Sequence, residues 1–407
     1  MASLRASVRR WWQPPKNIRD REEERSVTFL ELFYDLVYVV LIAQLAHSLA
    51  EHVNLAGVGG YIFLFVIVWL AWLNGALYHD LHGNNDIRTR VFTFLQMFAV
   101  AAMAAFAHSA LGEGSVGFAL SFAAYLLVLT WLWWRTGVYD PNHRPLSQPY
   151  SLAFLISTLL FVGSVFVPVP WRFYLWGFAL LLPLLIPVYS LVQGRNNPDI
   201  QAQIDIAFST SPSAVERFGL FTIIVLGEVI IGVVNGVAGH HHLTWVVGII
   251  AALGMLIAIG LRWVYFDFVS HHQPINTRPK TMGWIYLHFP LAMAIAAAGA
   301  AVLNIVEHAG EPLAPEVRWL LVGAVGLSLI STAVLMRSIQ IPDKYFPLYR
   351  RGGIVTLICG MAILLLGLSD LNTIPLLVMV ILFLLAPVLY GIAVWIKLLG
   401  AEEIAFS

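Results

Sequence analysis

Long apolar runs separated by brief polar punctuation make up nearly the whole chain. A hydrocarbon core of about 30 Å takes about 20 apolar residues per helix. Runs of that length fall at 27–50, 58–78, 90–110, 117–136, 150–168, 171–191, 215–237, 244–266, 283–304, 318–338, 352–369 and 374–396, twelve in all. The connections are short and rich in Gly, Pro, Asn and Asp, as in Asp140-Pro141-Asn142 and Gly194-Arg195-Asn196-Asn197-Pro198. The pattern predicts an all-α integral membrane protein of about twelve transmembrane helices with no soluble domain.

Composition agrees. Of 407 residues, 59% are apolar and 11% charged, with mean hydropathy +0.79, too little polar residue to coat a soluble globule of this size. Twenty-three basic and 23 acidic residues cancel, which removes the broad basic face that nucleic-acid binding needs. The single cysteine, Cys359, lies in an apolar run and excludes an internal disulfide or a thiolate metal cluster. Its expected role is core packing. The first apolar run carries Glu31 and Asp35, exceeds the length of a signal-peptide core and lacks a small-residue cleavage site, so a retained first span is expected.

Charge placement predicts orientation, because cytoplasmic loops hold most Lys and Arg. With twelve spans and an inside N-terminus, 21 of the 23 basic residues fall inside, leaving Arg172 and Arg318 outside. Merging or splitting one helix scrambles that partition. Both termini are therefore expected in the cytoplasm. The basic tail, with Trp11 and Trp12 among its arginines, reads either as an amphipathic anchor at the inner interface or as a solvated segment.

The chain also carries signs of duplication. Glu24-Arg25 returns as Glu216-Arg217, and Phe94-Leu95-Gln96 as Tyr286-Leu287-His288, each at an offset of 192. On that offset Asp35 falls within one residue of Glu228, and Trp72 within one of Trp263. An even number of spans per half makes the halves parallel. The expected organisation is a cytoplasmic tail over 1–25, a first six-helix half over 26–195, a linker over 196–213 and a second half over 214–407.

Charges inside spans cost at least about 2.5 to 3.5 kcal/mol each and so mark candidate sites. Glu31 and Asp35, four residues apart, share one face of the first helix, with Thr28 near the same stripe. They read as a proton or cation site, or as an ion pair fixing helix packing with Arg90 or Arg262. Glu228 lies in mid-run, beyond the reach of snorkelling, so it must be neutral, paired or bathed by a cavity. Gly227, Gly232 and Gly236 around it admit a close neighbouring helix. His288 matches Gln96 across the repeat and reads as a packing or titrating histidine. Arg262, Tyr265 and Asp267 close the eighth span as Asn74, Tyr78 and Asp80 close the second, and Arg262 is the natural counter-ion for Asp35. His240-His241-His242 and His271-His272 read as solvated loops, and Trp131, Trp133 and Trp134 as an interfacial aromatic belt. No Walker loop, dinucleotide-binding, nucleophile-elbow or zinc signature is present, and no cofactor is expected.

Two motifs carry a family resemblance: Arg25-Ser-Val-Thr-Phe-Leu-Glu-Leu-Phe-Tyr-Asp-Leu-Val-Tyr-Val-Val, and Glu216-Arg217-Phe218-Gly219-Leu220-Phe221-Thr222-Ile223-Ile224-Val225-Leu226-Gly227-Glu228. With them the chain resembles, along its whole length, the bacterial low temperature requirement protein A family. The resemblance makes Glu31, Asp35 and Glu228 the signature polar positions and implies an inner-membrane protein linked by name to growth in the cold. It carries no substrate or mechanism. Phe33-Tyr34-Asp35 is also similar to the Phe-Ser-Asp motif of the lysosomal and bacterial potassium and proton channel family, with Tyr34 in place of the serine and no counterpart in the seventh span.

The expected function is a proton-coupled secondary transporter or ion-conducting protein, with Asp35 and Glu228 at a cavity between two halves and Glu31, Arg262, His288 and Gln96 in support. Its expected partners are membrane lipids and a small solute, proton or cation. The alternatives are a lipid-modifying membrane enzyme using Glu31 and Asp35 as acid and base, and a non-catalytic scaffold or membrane sensor.

Overall fold

Hydrocarbon offers the backbone no hydrogen-bond partner, so an apolar run crossing a bilayer must satisfy its amides and carbonyls internally, as a helix. The computed structural model describes residues 13–17, 26–84, 86–194, 197–207 and 209–406. Trp11, Trp12, Glu24, Arg25 and Arg195, used above, lie outside them. Twelve helices among the described residues are long and apolar enough to cross a membrane. In chain order the helices are α1 (Phe29–Glu51), α2 (Leu55–His82), α3 (Ile87–Ala107), α4 (Ser115–Tyr139), α5 (Arg144–Ser164), α6 (Trp171–Gly194), the short α7 (Pro198–Ala207), α8 (Pro212–Ala238), α9 (Trp245–Phe268), α10 (Arg278–Glu307), α11 (Pro315–Leu335), α12 (Phe346–Leu365) and α13 (Thr373–Phe406).

Local chemistry sets the ends. Asp86 caps α3 by accepting from the Thr89 amide, Thr244 caps α9 through Val247, and proline opens α5, α10, α11 and α12. The segment expected as a linker contains α7. Asn197 accepts from the amides of Asp199 and Ile200, and Ile200 and Ile204, one turn apart, bury against Leu146.

The chain forms two compact units. One takes in Met1–Leu45 and Phe63–Ala214, the other Ala46–Ile62 and Val215–Ser407. In the second unit α10 is the central helix, with most of its apolar stretch buried, whereas most of that of α13 is not. Its run of Ala294, Ala296, Ala298, Gly299, Ala300 and Ala301 explains this, because small side chains let neighbouring backbones close in where lipid supplies no hydrophobic drive for association. On α13, exposed Leu382, Leu385 and Leu389 present a surface suited to acyl chains.

The two arginines left outside by the charge partition have structural work. Arg172 donates to the Ser164 and Val165 carbonyls at the end of α5 and to Ser115 at the start of α4. Arg318 donates to the Ser369 carbonyl.

Candidate functional site

In the first unit, α1 opens with a capping box. Glu31 accepts from the amide and hydroxyl of Thr28, both at 2.9 Å, while Thr28 Oγ1 accepts from the Glu31 amide at 3.3 Å. One turn further on, Asp35 is fully buried and accepts from the Trp72 indole at 2.8 Å. Thus the two carboxylates of the shared face do different things: one closes a helix end, the other takes a donor from α2.

Beside Asp35 runs a directed chain of phenols. Tyr125 donates to the Ala71 carbonyl, which uses its only hydroxyl hydrogen. Tyr34 therefore donates to Tyr125 at 3.0 Å, and Tyr38 to Tyr34 at 2.9 Å. Gly75 makes the space, since a Cβ there would lie 2.0 Å from Tyr34 Oη. On the next turn His79 Nε2 faces Gln96 Oε1 and Thr93 Oγ1, each at 3.3 Å. Gln96 thus ties α3 to α2.

The second unit treats its carboxylate otherwise. Glu228 on α8 is 4% exposed, and its Oε1 is buried without a hydrogen-bond partner. It sits where α8 and α10 nearly touch: a Cβ on Gly299 would lie 2.8 Å from the Glu228 carbonyl, and one on Gly232 2.5 Å from the Gly299 carbonyl oxygen. Gly232 and Gly236 serve this approach as expected, whereas Gly227 faces open space. Tyr61 lies within electrostatic reach of Glu228, donates to the Met293 carbonyl at 2.7 Å and lines an apolar cavity of about 460 Å³ with Ala294, Ala297 and Leu320.

His288 has both nitrogens engaged. Nδ1 donates to the Trp284 carbonyl at 2.7 Å, so Nε2 accepts from the Tyr265 hydroxyl at 3.0 Å. Arg262 projects over the Phe266 ring, 5.3 Å from its centroid, into a separate cavity at the end of α9.

A cluster at the end of α2 escaped sequence reasoning. The buried rings of His82 and His143 lie 5.0 Å apart. Each donates from Nδ1, His82 to the Lys16 carbonyl and His143 to Gln203 Oε1, and each leaves Nε2 buried without a partner. Burial lowers the pKa of His143, with the Gln203 bond working against the shift. Arg88, 2% exposed, stands near with Asp86 3.7 Å away. Trp133 packs into this cluster on Tyr150 rather than joining an outer belt, while Trp134 of the same triplet is exposed. The only available signal was the set of histidines beside loop prolines and asparagines, a pattern common on solvated surfaces.

Apolar helices of spanning length, lipid-suited outer faces and ionisable side chains buried between them define a polytopic α-helical membrane protein. Residues 26–393 match the bacterial low temperature requirement A protein (LtrA) family, and the chain belongs to that family. It is also similar to the uncharacterized protein RA0937 of Rhizobium meliloti (strain 1021), at 25% identity over 303 residues, 68% of this chain and 69% of that protein.

Proposed function

We propose that this protein is a proton-coupled secondary transporter or ion-conducting protein of the bacterial cytoplasmic membrane, with both termini in the cytoplasm. The observation that carries the reading is the lone buried oxygen of Glu228 in mid-helix. An ionised carboxylate in such surroundings costs several kcal/mol unless it is paired. A proton or a bound cation relieves that cost, so occupancy of Glu228 is coupled to the packing of α8 against α10. Asp35 already has an indole donor at Oδ1, so in this reading Glu228 carries the proton and Asp35 supports it. Glu31, His288 and Gln96 hold surrounding elements in place, whereas the exposed Arg262 lies over Phe266 and takes no part in this reading.

The same reading takes the two halves as parallel repeats. A polar link between the second and third spans recurs in each half, as His79 with Gln96 and as Tyr265 with His288. The indoles differ, because Trp72 reaches Asp35 while Trp263 turns to Asp267 on its own helix.

The test is pH-dye flux in proteoliposomes under imposed potassium and proton gradients, with wild type, Glu228→Gln and Asp35→Asn reconstituted at equal levels. Flux above empty liposomes that disappears in Glu228→Gln supports the reading. Equal flux in wild type and Glu228→Gln, or no flux under any gradient, refutes it.

A further inference from the structure

The second unit holds another cavity, about 600 Å³, between the end of α9, the start of α12 and α13. Its lining combines cation, aromatic ring and aliphatic wall: Arg262, Trp263, Phe266, Tyr349, Tyr390 and Ile392 all contribute. We propose that this cavity binds the phosphate headgroup of an anionic phospholipid.

Charge carries the first part of the argument. Arg262 lines the cavity with its guanidinium over Phe266, Lys344 Nζ stands 5.3 Å from the ring centroid of Tyr345, another lining residue, and Arg351 acts electrostatically on Tyr390. The carboxylate in the lining, Asp267, accepts from the Trp263 indole at 2.7 Å. Within the lining Arg262 is balanced in charge by Asp267, whose carboxylate is held by the Trp263 indole, and Lys344 and Arg351 add positive charge beside the lining residues Tyr345 and Tyr390. Guanidinium and ammonium groups are the usual partners of phosphate oxygens.

Shape and placement carry the second part. Two lining phenols are held by hydrogen bonds, Tyr349 with His272 at 3.1 Å and Tyr390 with the Leu348 carbonyl at 2.9 Å, so the polar wall keeps its form without a ligand. Leu348, Ile392 and Val394 continue the lining, and exposed Leu385 and Leu389 extend an apolar track along α13. A polar mouth joined to an apolar track suits an amphipathic anion better than a soluble one. Arg278, Lys280, Arg337 and Arg350 lie in the loops and helix ends at this same side of the unit, the side that charge distribution assigns to the cytoplasm, where anionic headgroups concentrate basic segments. The 460 Å³ cavity beside Tyr61 has no cation in its lining and makes the contrast within the same unit.

The inference is independent of transport and is tested without flux. Purified full-length protein in detergent is doped with equal phosphatidylglycerol and phosphatidylcholine, and retained lipid is read by native mass spectrometry. Wild type should retain the anionic lipid preferentially, by about fivefold per contributing basic side chain. Arg262→Gln should lower that ratio by about that factor, Arg262→Lys should restore most of it, and excess inorganic phosphate should leave it unchanged. Arg262 is exposed, so its variants should keep the wild-type elution volume. Lys344→Gln, beside the lining residue Tyr345, gives a second and independent reduction. Equal retention of both lipids by wild type, or an unchanged ratio in both glutamine variants, overturns the proposal. Displacement by inorganic phosphate also overturns it, by assigning the cavity to soluble phosphate compounds.

Discussion

Substituting Gly75 by alanine should break the phenol chain beside Asp35. In an isolated helix the change favours folding by about 1 kcal/mol. Here the added Cβ would stand 2.0 Å from Tyr34 Oη, 2.7 Å from Tyr125 Oη and 2.9 Å from Tyr34 Cζ, all within a fully buried cluster. Tyr34 must retreat by more than about 1 Å to reach van der Waals contact, which breaks its bonds to Tyr38 and Tyr125. Orphaned buried hydroxyls cost about 1 to 3 kcal/mol each and overpacking a further 1 to 3, so the net loss is about 2 to 5 kcal/mol. Tyr34→Phe alone should cost about 1 to 2 kcal/mol, because the Tyr38 hydroxyl loses its acceptor. It also removes the 2.0 Å contact and leaves 2.7 Å as the closest. The double variant should therefore be more stable than the sum of its parts by about 1 kcal/mol or more. Unfolding in mixed micelles with increasing SDS, followed by tryptophan fluorescence, measures all four proteins. Additivity within about 0.5 kcal/mol, or a Gly75→Ala variant as stable as wild type, would refute the reasoning.

Two further outcomes are expected. Gly299→Ala should force α10 away from the Glu228 backbone and cost about 2 to 4 kcal/mol in the same assay, while Gly227→Ala, with open space around it, should be neutral or stabilising by up to about 1 kcal/mol; equal effects would show that the close approach of α8 and α10 is not what the glycines maintain. The second concerns pH: unfolded His143 takes up a proton near pH 6.5, whereas burial keeps the folded ring neutral to lower pH. Between those two values the unfolded chain holds more protons, so stability is full above about pH 6.5 and falls as the pH drops through that window. His272, also lowered by burial, acts in the same direction, so His143→Gln should flatten the slope without abolishing it. Thermal midpoints at several pH values would show this, and identical slopes in wild type and variant would sink it.

Much of the architecture was legible along the chain. Spanning length is a local property, set by bilayer thickness and the rise of a helix, and the twelve apolar runs correspond to twelve helices. The Thr28-x-x-Glu31 spacing was equally local, yet its meaning depended on where the helix began, and two carboxylates on one face looked alike until α1 was seen to start at Phe29, which puts Glu31 in its first turn and Asp35 one turn further in. Which carboxylate receives a donor was not legible. Asp35 meets Trp72 only because α1 and α2 pack in one register, and Glu228 Oε1 is left without a donor although Gly299 of α10 packs against the Glu228 backbone. Likewise His82 and His143, 61 residues apart, meet only through the packing of α2 with the loop before α5. The sequence by itself determined how many times the chain crosses the membrane and which buried charges needed an answer. Tertiary structure alone decided the answers, because a partner's identity depends on the register of distant helices and no single span carries that information.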